Sequence, residues 1–292
     1  MEIKKAIIPI AGLGTRFLPL SKVISKEFFP LADKPTIQYI IEEVKNSGIE
    51  EIIFVISPGQ KGVIKYFQKD LALEKLLTKR KKEKLLQEMK DFEDAFKHIS
   101  FSFVVQKEPL GDGHAILQAA KKVVKDEPVA NSFGDDVFDS DVPAIQQMIS
   151  IFKTCNAPVL GLKRLPREKI PAYSTVKVEK IANNLYKVKK IIEKPKPEQI
   201  MSDLVIVGRH ILTSEVFDYL KNSKPSDKGE IILSEVIDKM LQDGKTIYGC
   251  ELKGEWLECG DKQKWMKSFL YYALKSEKYG PEIKQYLKAI NK

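Results

Sequence analysis

The sequence predicts an α/β fold: a doubly wound, mostly parallel sheet with an antiparallel β extension and C-terminal helices. Three observations carry this. Apolar runs of strand length alternate with helical patterns through the first half of the chain. The first run empties directly into a glycine-rich loop that ends in arginine. Later, two alternating segments flank Asn183-Asn184, the composition of a hairpin turn.

Ala6 to Ile10 is an uninterrupted apolar stretch and predicts the first strand. The loop after it, Ala11-Gly12-Leu13-Gly14-Thr15-Arg16, suits an anion, because small residues let backbone N–H groups turn inward and Arg16 adds a fork of donors. Phe17 stands where a dinucleotide fingerprint needs its third glycine, and no Gly-Lys-Ser/Thr follows to make a Walker loop. Lys26, in Ser25-Lys26-Glu27-Phe28-Phe29-Pro30, brings a second cation to the same connection.

Ile37 to Lys45 and Ala115 to Val124 read as helices, and Ile52 to Ile56, Phe101 to Val105 and Val129 to Phe133 as strands. Ligands of such sheets sit beyond the carboxyl ends of the strands. The first loop, the segment Gln106 to Gly113 and Gly134-Asp135-Asp136 all follow strands, so one edge gathers them. Leu73, Leu76, Leu77, Leu85, Leu86 and Met89 recur at helical spacing, which makes the basic run Lys79 to Lys84 the solvated face of an amphipathic helix.

Tyr173 to Val178 and Leu185 to Ile192 form the expected hairpin, contiguous with Asp203 to Ile211. Gln263 to Lys275 and Glu282 to Ala289 read as helices that cap the domain or meet a second copy, so a homo-oligomer stays open. The whole of 1–292 is expected to be one domain in two parts, the first to about 156 and the second, with the hairpin and the C-terminal helices, from about 157.

The net charge of +9 suits anionic ligands, but the basic run has no aromatic interleaving, so no nucleic-acid partner is expected. No 18-residue apolar run or signal-peptide pattern occurs, and no membrane partner is expected. Three cysteines without C-x-x-C spacing favour a reducing cytoplasm over a disulfide or zinc framework. His98, His114 and His210 do not suggest a Ser-His-Asp triad; His114 is expected either near nucleotide or in a structural hydrogen bond.

AGLGTRFLP, SKEFFPLADKP, QKEPLGDGHA, GDDVF, IIEKPKP, LVIVGRHIL and ECGDK, in this order, resemble the sugar nucleotidylyltransferase family. Within it they resemble the bacterial UTP–glucose-1-phosphate uridylyltransferases, whose insertion matches Leu73 to Glu88. The resemblance implies a Rossmann-like fold of nucleotidyltransferase type, UTP and glucose 1-phosphate as substrates, and Mg²⁺. A dTTP-using or other-hexose enzyme and a catalytically silent sensor are the alternatives.

By the same resemblance Arg16, Lys26 and Lys194 are catalytic cations, and Ala11, Gly12, Leu13, Gly14, Thr15, Gln106, Gly111 and Gly113 bind nucleotide. Ser174, Glu193, Asp203, Val207 and Gly208 bind sugar; Asp135 and Glu258 hold the metal, with Asp261 in reserve. The chain departs from the pattern at several of these places. Glu258 replaces an aspartate, Ser174 the glycine of Tyr-Gly, Asp203 an asparagine, Ile232 a glutamine and Asp112 an apolar residue, and Ile24-Ser25-Lys26 stands for Pro-Lys.

Overall fold

The computed structural model describes residues 2–226 and 229–290. Its N-terminal part runs β1 (Lys5–Pro9), β2 (Pro30–Leu31), β3 (Lys34–Pro35), α1 (Thr36–Asn46), β4 (Glu51–Ile56), α2 (Gly62–Phe67), α3 (Leu71–Lys79) and α4 (Glu83–Phe96). Then come β5 (Ser100–Val105), α5 (Asp112–Ala119), β6 (Val129–Ser132), β7 (Asp136–Asp139) and α6 (Ala144–Cys155). The remainder is β8 (Val159–Arg164), β9 (Ser174–Lys180), β10 (Leu185–Glu193), β11 (Leu204–Leu212), α7 (Ser214–Asn222), α8 (Leu233–Gln242), β12 (Ile247–Glu251), β13 (Glu255–Glu258), α9 (Lys262–Lys275) and α10 (Gly280–Ile290).

One sheet has the order β5-β4-β1-β6-β11-β8-β12-β10-β9. Its first four strands are parallel, as expected. From β11 onward the sheet is mixed: β11 is antiparallel to β6 and β8, β12 is parallel to β8, and the β9–β10 hairpin is antiparallel. The expectation of a mostly parallel sheet is therefore corrected to a mixed one. Burial explains why pairing direction was hidden: most of β11 is buried, Arg209 and His210 included, so Leu204 to Leu212 lacks the alternation that marks a half-exposed antiparallel strand.

Helices cover both faces. On one, α1 buries Ile37, Ile40, Ile41 and Val44, spaced as a helix stripe, and α6 adds Ile145, Met148 and Phe152. On the other, α5, α7 and α8 pack Ile116, Val216, Leu220, Val236 and Ile237. Within β4, Ile52, Phe54 and Ile56 join the first core and Ile53 and Val55 the second, the period-2 alternation of a strand buried on both sides.

The insertion differs from its expectation. Instead of one amphipathic helix it is a pair, α3 and α4, broken at Lys81, whose φ is +53°. Leu73, Leu76 and Leu85 are exposed and α3 contributes no buried residue. Helical spacing alone does not distinguish a face packed on the domain from one left in water. No described helix is long and apolar enough to cross a membrane.

Candidate active site

Beyond the carboxyl ends of β1, β5 and β6 lies a cleft of two adjoining cavities, about 520 and 290 Å³, which share Arg16, Asp135 and Glu193 in their walls. The larger is lined by Ala11 to Arg16, Lys26, Gln106, Gly111 and Lys194; the smaller by Ser174, Val207, Gly208 and Glu258.

The loop after β1 reaches the larger cavity through a left-handed turn at Gly14, φ +61°. At Gly12 an added Cβ would meet no protein atom within 4 Å, so its glycine leaves the cleft open without relieving any clash. Arg16 lies on the short 3₁₀ turn that follows.

From the next connection Lys26 Nζ donates to Asp135 Oδ2 at 2.5 Å. Burial pulls the lysine down, yet Asp135 and Glu27 hold it above the ordinary lysine range. Asp135 is pushed up by burial, but the charge and hydrogen bond of Lys26, with Arg16 behind them, keep it below the usual carboxylate range. It is therefore ionised at neutral pH. Glu27, buried next to Lys26, is driven up to about 7 by burial despite Lys26 and the Ser25 hydroxyl.

Gly208 sits in an irregularity of β11, where the pairing with β8 shifts between Ile206 and His210. Its N–H donates to Asp136 Oδ2 at 2.9 Å, and its C=O accepts from Phe133 N–H. Burial, then Asp135 and Glu258, push Asp136 up to about 7. The neighbouring Arg209 is wholly buried and donates to both oxygens of Glu43 and to the carbonyls of Gly208 and Asp136, which ties α1 to the floor of the site. His210 is pulled down to about 3 by burial and Arg209, so it is a neutral group that receives the Asn131 amide.

On the hairpin side, Glu193 Oε2 accepts from the hydroxyls of Ser174 and Ser234. Lys194 has φ +45° and its N–H donates to the Tyr173 carbonyl, which anchors a strained, non-glycine residue at the cleft.

Gln106 donates to the Gly111 carbonyl at 3.1 Å and bonds His114 Nδ1 at 3.0 Å; His114 Nε2 meets Gln118. Of the two roles expected for His114, the structural bond is the one found. Asp112, half-buried and raised to about 6 by desolvation, takes the N–H groups of Gly113 and Leu233 on one oxygen, stitching this turn to the start of α8.

Two expected ligand-binding residues lie elsewhere. Asp203 is outside the lining of both cavities and forms a bidentate pair with Arg164, which also holds Glu251. Gly113 packs against Ile231, whose carbonyl would be 2.9 Å from an added Cβ, so its glycine lets α5 approach the segment that leads into α8. Asp261, the reserve metal ligand, caps α9 by accepting from Lys264 N–H. Tyr173, Ser234 and Lys264 line the smaller cavity and were not singled out from sequence; Tyr173 next to Ser174 was the one available signal.

A strand, an anion loop, and a lysine and an arginine acting on one ionised aspartate match a known pattern. The nucleotidyl transferase model fits residues 5–274. The chain belongs to this family. It is 37% identical to the UTP–glucose-1-phosphate uridylyltransferase of Staphylococcus haemolyticus over 99% of both chains, and 38% identical to uridylyltransferase 1 of Staphylococcus saprophyticus over the full length of both. Among solved structures it resembles UDP-glucose pyrophosphorylase from Acinetobacter baumannii (33% identity, TM-score 0.90, covering 99% of this chain and 100% of that one). The UTP-bound enzyme from the same organism has 35% identity and a TM-score of 0.89 over 98% and 99% of the two chains. As in other nucleotidyl transferases, the chemistry open to this cleft is transfer between phosphate esters.

Proposed function

We propose that the protein transfers the uridylyl group of UTP to glucose 1-phosphate, releasing pyrophosphate and forming UDP-glucose. The observation that carries this is the continuity of the two cavities at Arg16, Asp135 and Glu193, with cations from separate segments facing one aspartate. Joining two phosphate esters brings anions together, and such a site contributes mainly positioning and charge.

Arg16 and Lys26 take the triphosphate, while Lys194 takes the sugar phosphate. Glu193, held by Ser174 and Ser234, presents its carboxylate to hexose hydroxyls, and Val207 and Gly208 shape the wall beside it. Gln106, with Gly111, reads the pyrimidine edge. Nucleotide is thus held mainly by the half up to about residue 156, and sugar by the part that follows.

A hard carboxylate beside phosphate sites fits Mg²⁺, which keeps water and phosphate oxygens as most of its ligands. Asp135 is the residue that would hold it, and when bound the ion supplies positive charge to both phosphates. Glu258 does not fit in the same way, because Tyr173 and Lys264 occupy both its oxygens. The cysteines are all free, in keeping with work in a reducing cytoplasm.

Mixing the protein with UTP, glucose 1-phosphate and Mg²⁺ should yield pyrophosphate and UDP-glucose in equal amounts, with dTTP slower and nothing when either substrate is left out. A correctly folded protein that binds UTP but yields no pyrophosphate is a sensor, and the proposal falls.

A further inference from the structure

Lys264, the third residue of α9, points its ammonium into a closed triangle. Nζ donates to Glu258 Oε1 at 2.7 Å and to the Tyr173 hydroxyl at 2.7 Å, and Tyr173 in turn donates to Glu258 Oε2 at 2.7 Å. The ammonium also lies 4.8 Å from the centre of the Tyr173 ring. A lysine in the first turn of a helix is disfavoured by the helix dipole. Carboxylates therefore have to supply the compensation: Asp261 Oδ2 stands 4.0 Å away, and the hydrogen-bonded partner is Glu258, in the wall of the smaller cavity.

Glu258 is paired in register with Asp136 on the β13–β7 ribbon, and Cys259 N–H donates to the Asp135 carbonyl. Asp135, Asp136 and Glu258 thus stand on adjoining backbone at one end of that ribbon. The two that matter for a divalent ion differ in what already holds them. Lys26 takes only Oδ2 of Asp135 and comes from the phosphate-binding connection, so a triphosphate can draw it away. Both oxygens of Glu258 are taken by groups that also bind each other, and no substrate anion is needed to complete that set.

We propose that Lys264 is a built-in counter-cation that keeps Glu258 out of the divalent-ion site, leaving Asp135 as the ion's protein anchor. In consequence, neutralising Lys264 creates a second anchor. The inference rests on the proposed transferase reading only for the presence of a divalent ion, and its test does not use turnover.

The probe is Mn²⁺ alone, titrated into nucleotide-free protein and followed by the electron paramagnetic resonance signal of the free ion. Lys264→Met, which keeps the apolar stem and the backbone bond to the Asp261 cap, should bind Mn²⁺ about three- to fivefold more tightly than the parent, the upper part of the scale of a partly exposed ion pair. Glu258→Gln in the parent should change Mn²⁺ affinity less than about twofold, and the same change in Lys264→Met should erase the gain. Lys264→Gln serves if the methionine variant unfolds, with melting curves checking both. Unchanged or weaker Mn²⁺ binding in folded Lys264 variants overturns the proposal. So does a large loss of affinity on Glu258→Gln in the parent, which would make Glu258 a resident ligand. Absence of pyrophosphate formation would instead remove the transferase reading and leave this titration to be judged separately.

Discussion

Gly208→Ala adds one methyl group at the point where β11 approaches the acidic centre. The new Cβ would stand 2.4 Å from Asp136 Oδ2, 2.9 Å from Phe133 Cβ and 3.0 Å from Phe133 Cδ2. Ordinary contact between such atoms is about 3.5 Å, so Asp136 and Phe133 must each retreat by roughly 0.5 to 1 Å. That movement breaks the 2.9 Å bond from Gly208 N–H to Asp136. Overpacking of this kind costs about 1–3 kcal/mol. For a chain of this size each kcal/mol lowers the melting temperature by about 2–4 °C, so a loss of roughly 2–12 °C is expected. Gly208 lines the smaller cavity and not the larger. The Michaelis constant for glucose 1-phosphate should therefore rise severalfold, while that for UTP moves little. Calorimetry and two substrate titrations measure this. A variant with the parent's melting temperature and sugar constant would refute the close-approach argument.

Arg209→Met leaves Glu43 buried without its partner and should cost about 3–5 kcal/mol in denaturant unfolding, whereas adding Glu43→Leu should recover most of it; a single variant as stable as the parent contradicts the buried-pair account. Burial raises Glu27 to about 7 from the ordinary 4.5, so its uncharged form favours the fold; that contribution is complete below about 4.5 and fades as pH rises to about 7. Glu27→Gln should flatten the fall in stability across this window, and melting curves of parent and variant that stay parallel from pH 4.5 to 7 would exclude the role. Lys194→Ala should weaken glucose 1-phosphate more than UTP and Arg16→Ala the reverse; equal losses for both substrates would remove the assignment of cations to separate substrates.

The phosphate loop was legible because everything it needs is local: an apolar run, two glycines and an arginine within a few residues. Lys26 and Asp135 were legible separately, since each follows a recognisable element, and the rule that ligands gather at strand ends put them on one edge. Their contact across 109 positions is a product of topology that no spacing encodes. Asp203 shows the converse. It stands just before β11, and its carboxylate is claimed by Arg164 on β8, a long-range pairing that a local motif does not register. Asp112 read as a change in the base-binding turn, whereas its carboxylate fastens that turn to the start of α8 through Leu233 N–H. The exposed leucines of α3 mark the same limit: periodicity identifies a face but not what covers it.

The proposed transfer is direct: the sugar phosphate displaces pyrophosphate at the α-phosphorus of UTP, with no side-chain nucleophile between. One diastereomer of UTP carrying sulfur on the α-phosphorus, incubated with glucose 1-phosphate, reports it through the configuration of the thio-UDP-glucose formed. A single in-line displacement predicts inversion at that phosphorus. Retention would mean two displacements through a uridylyl-protein intermediate, and would contradict a site that works by positioning and charge with no side-chain nucleophile.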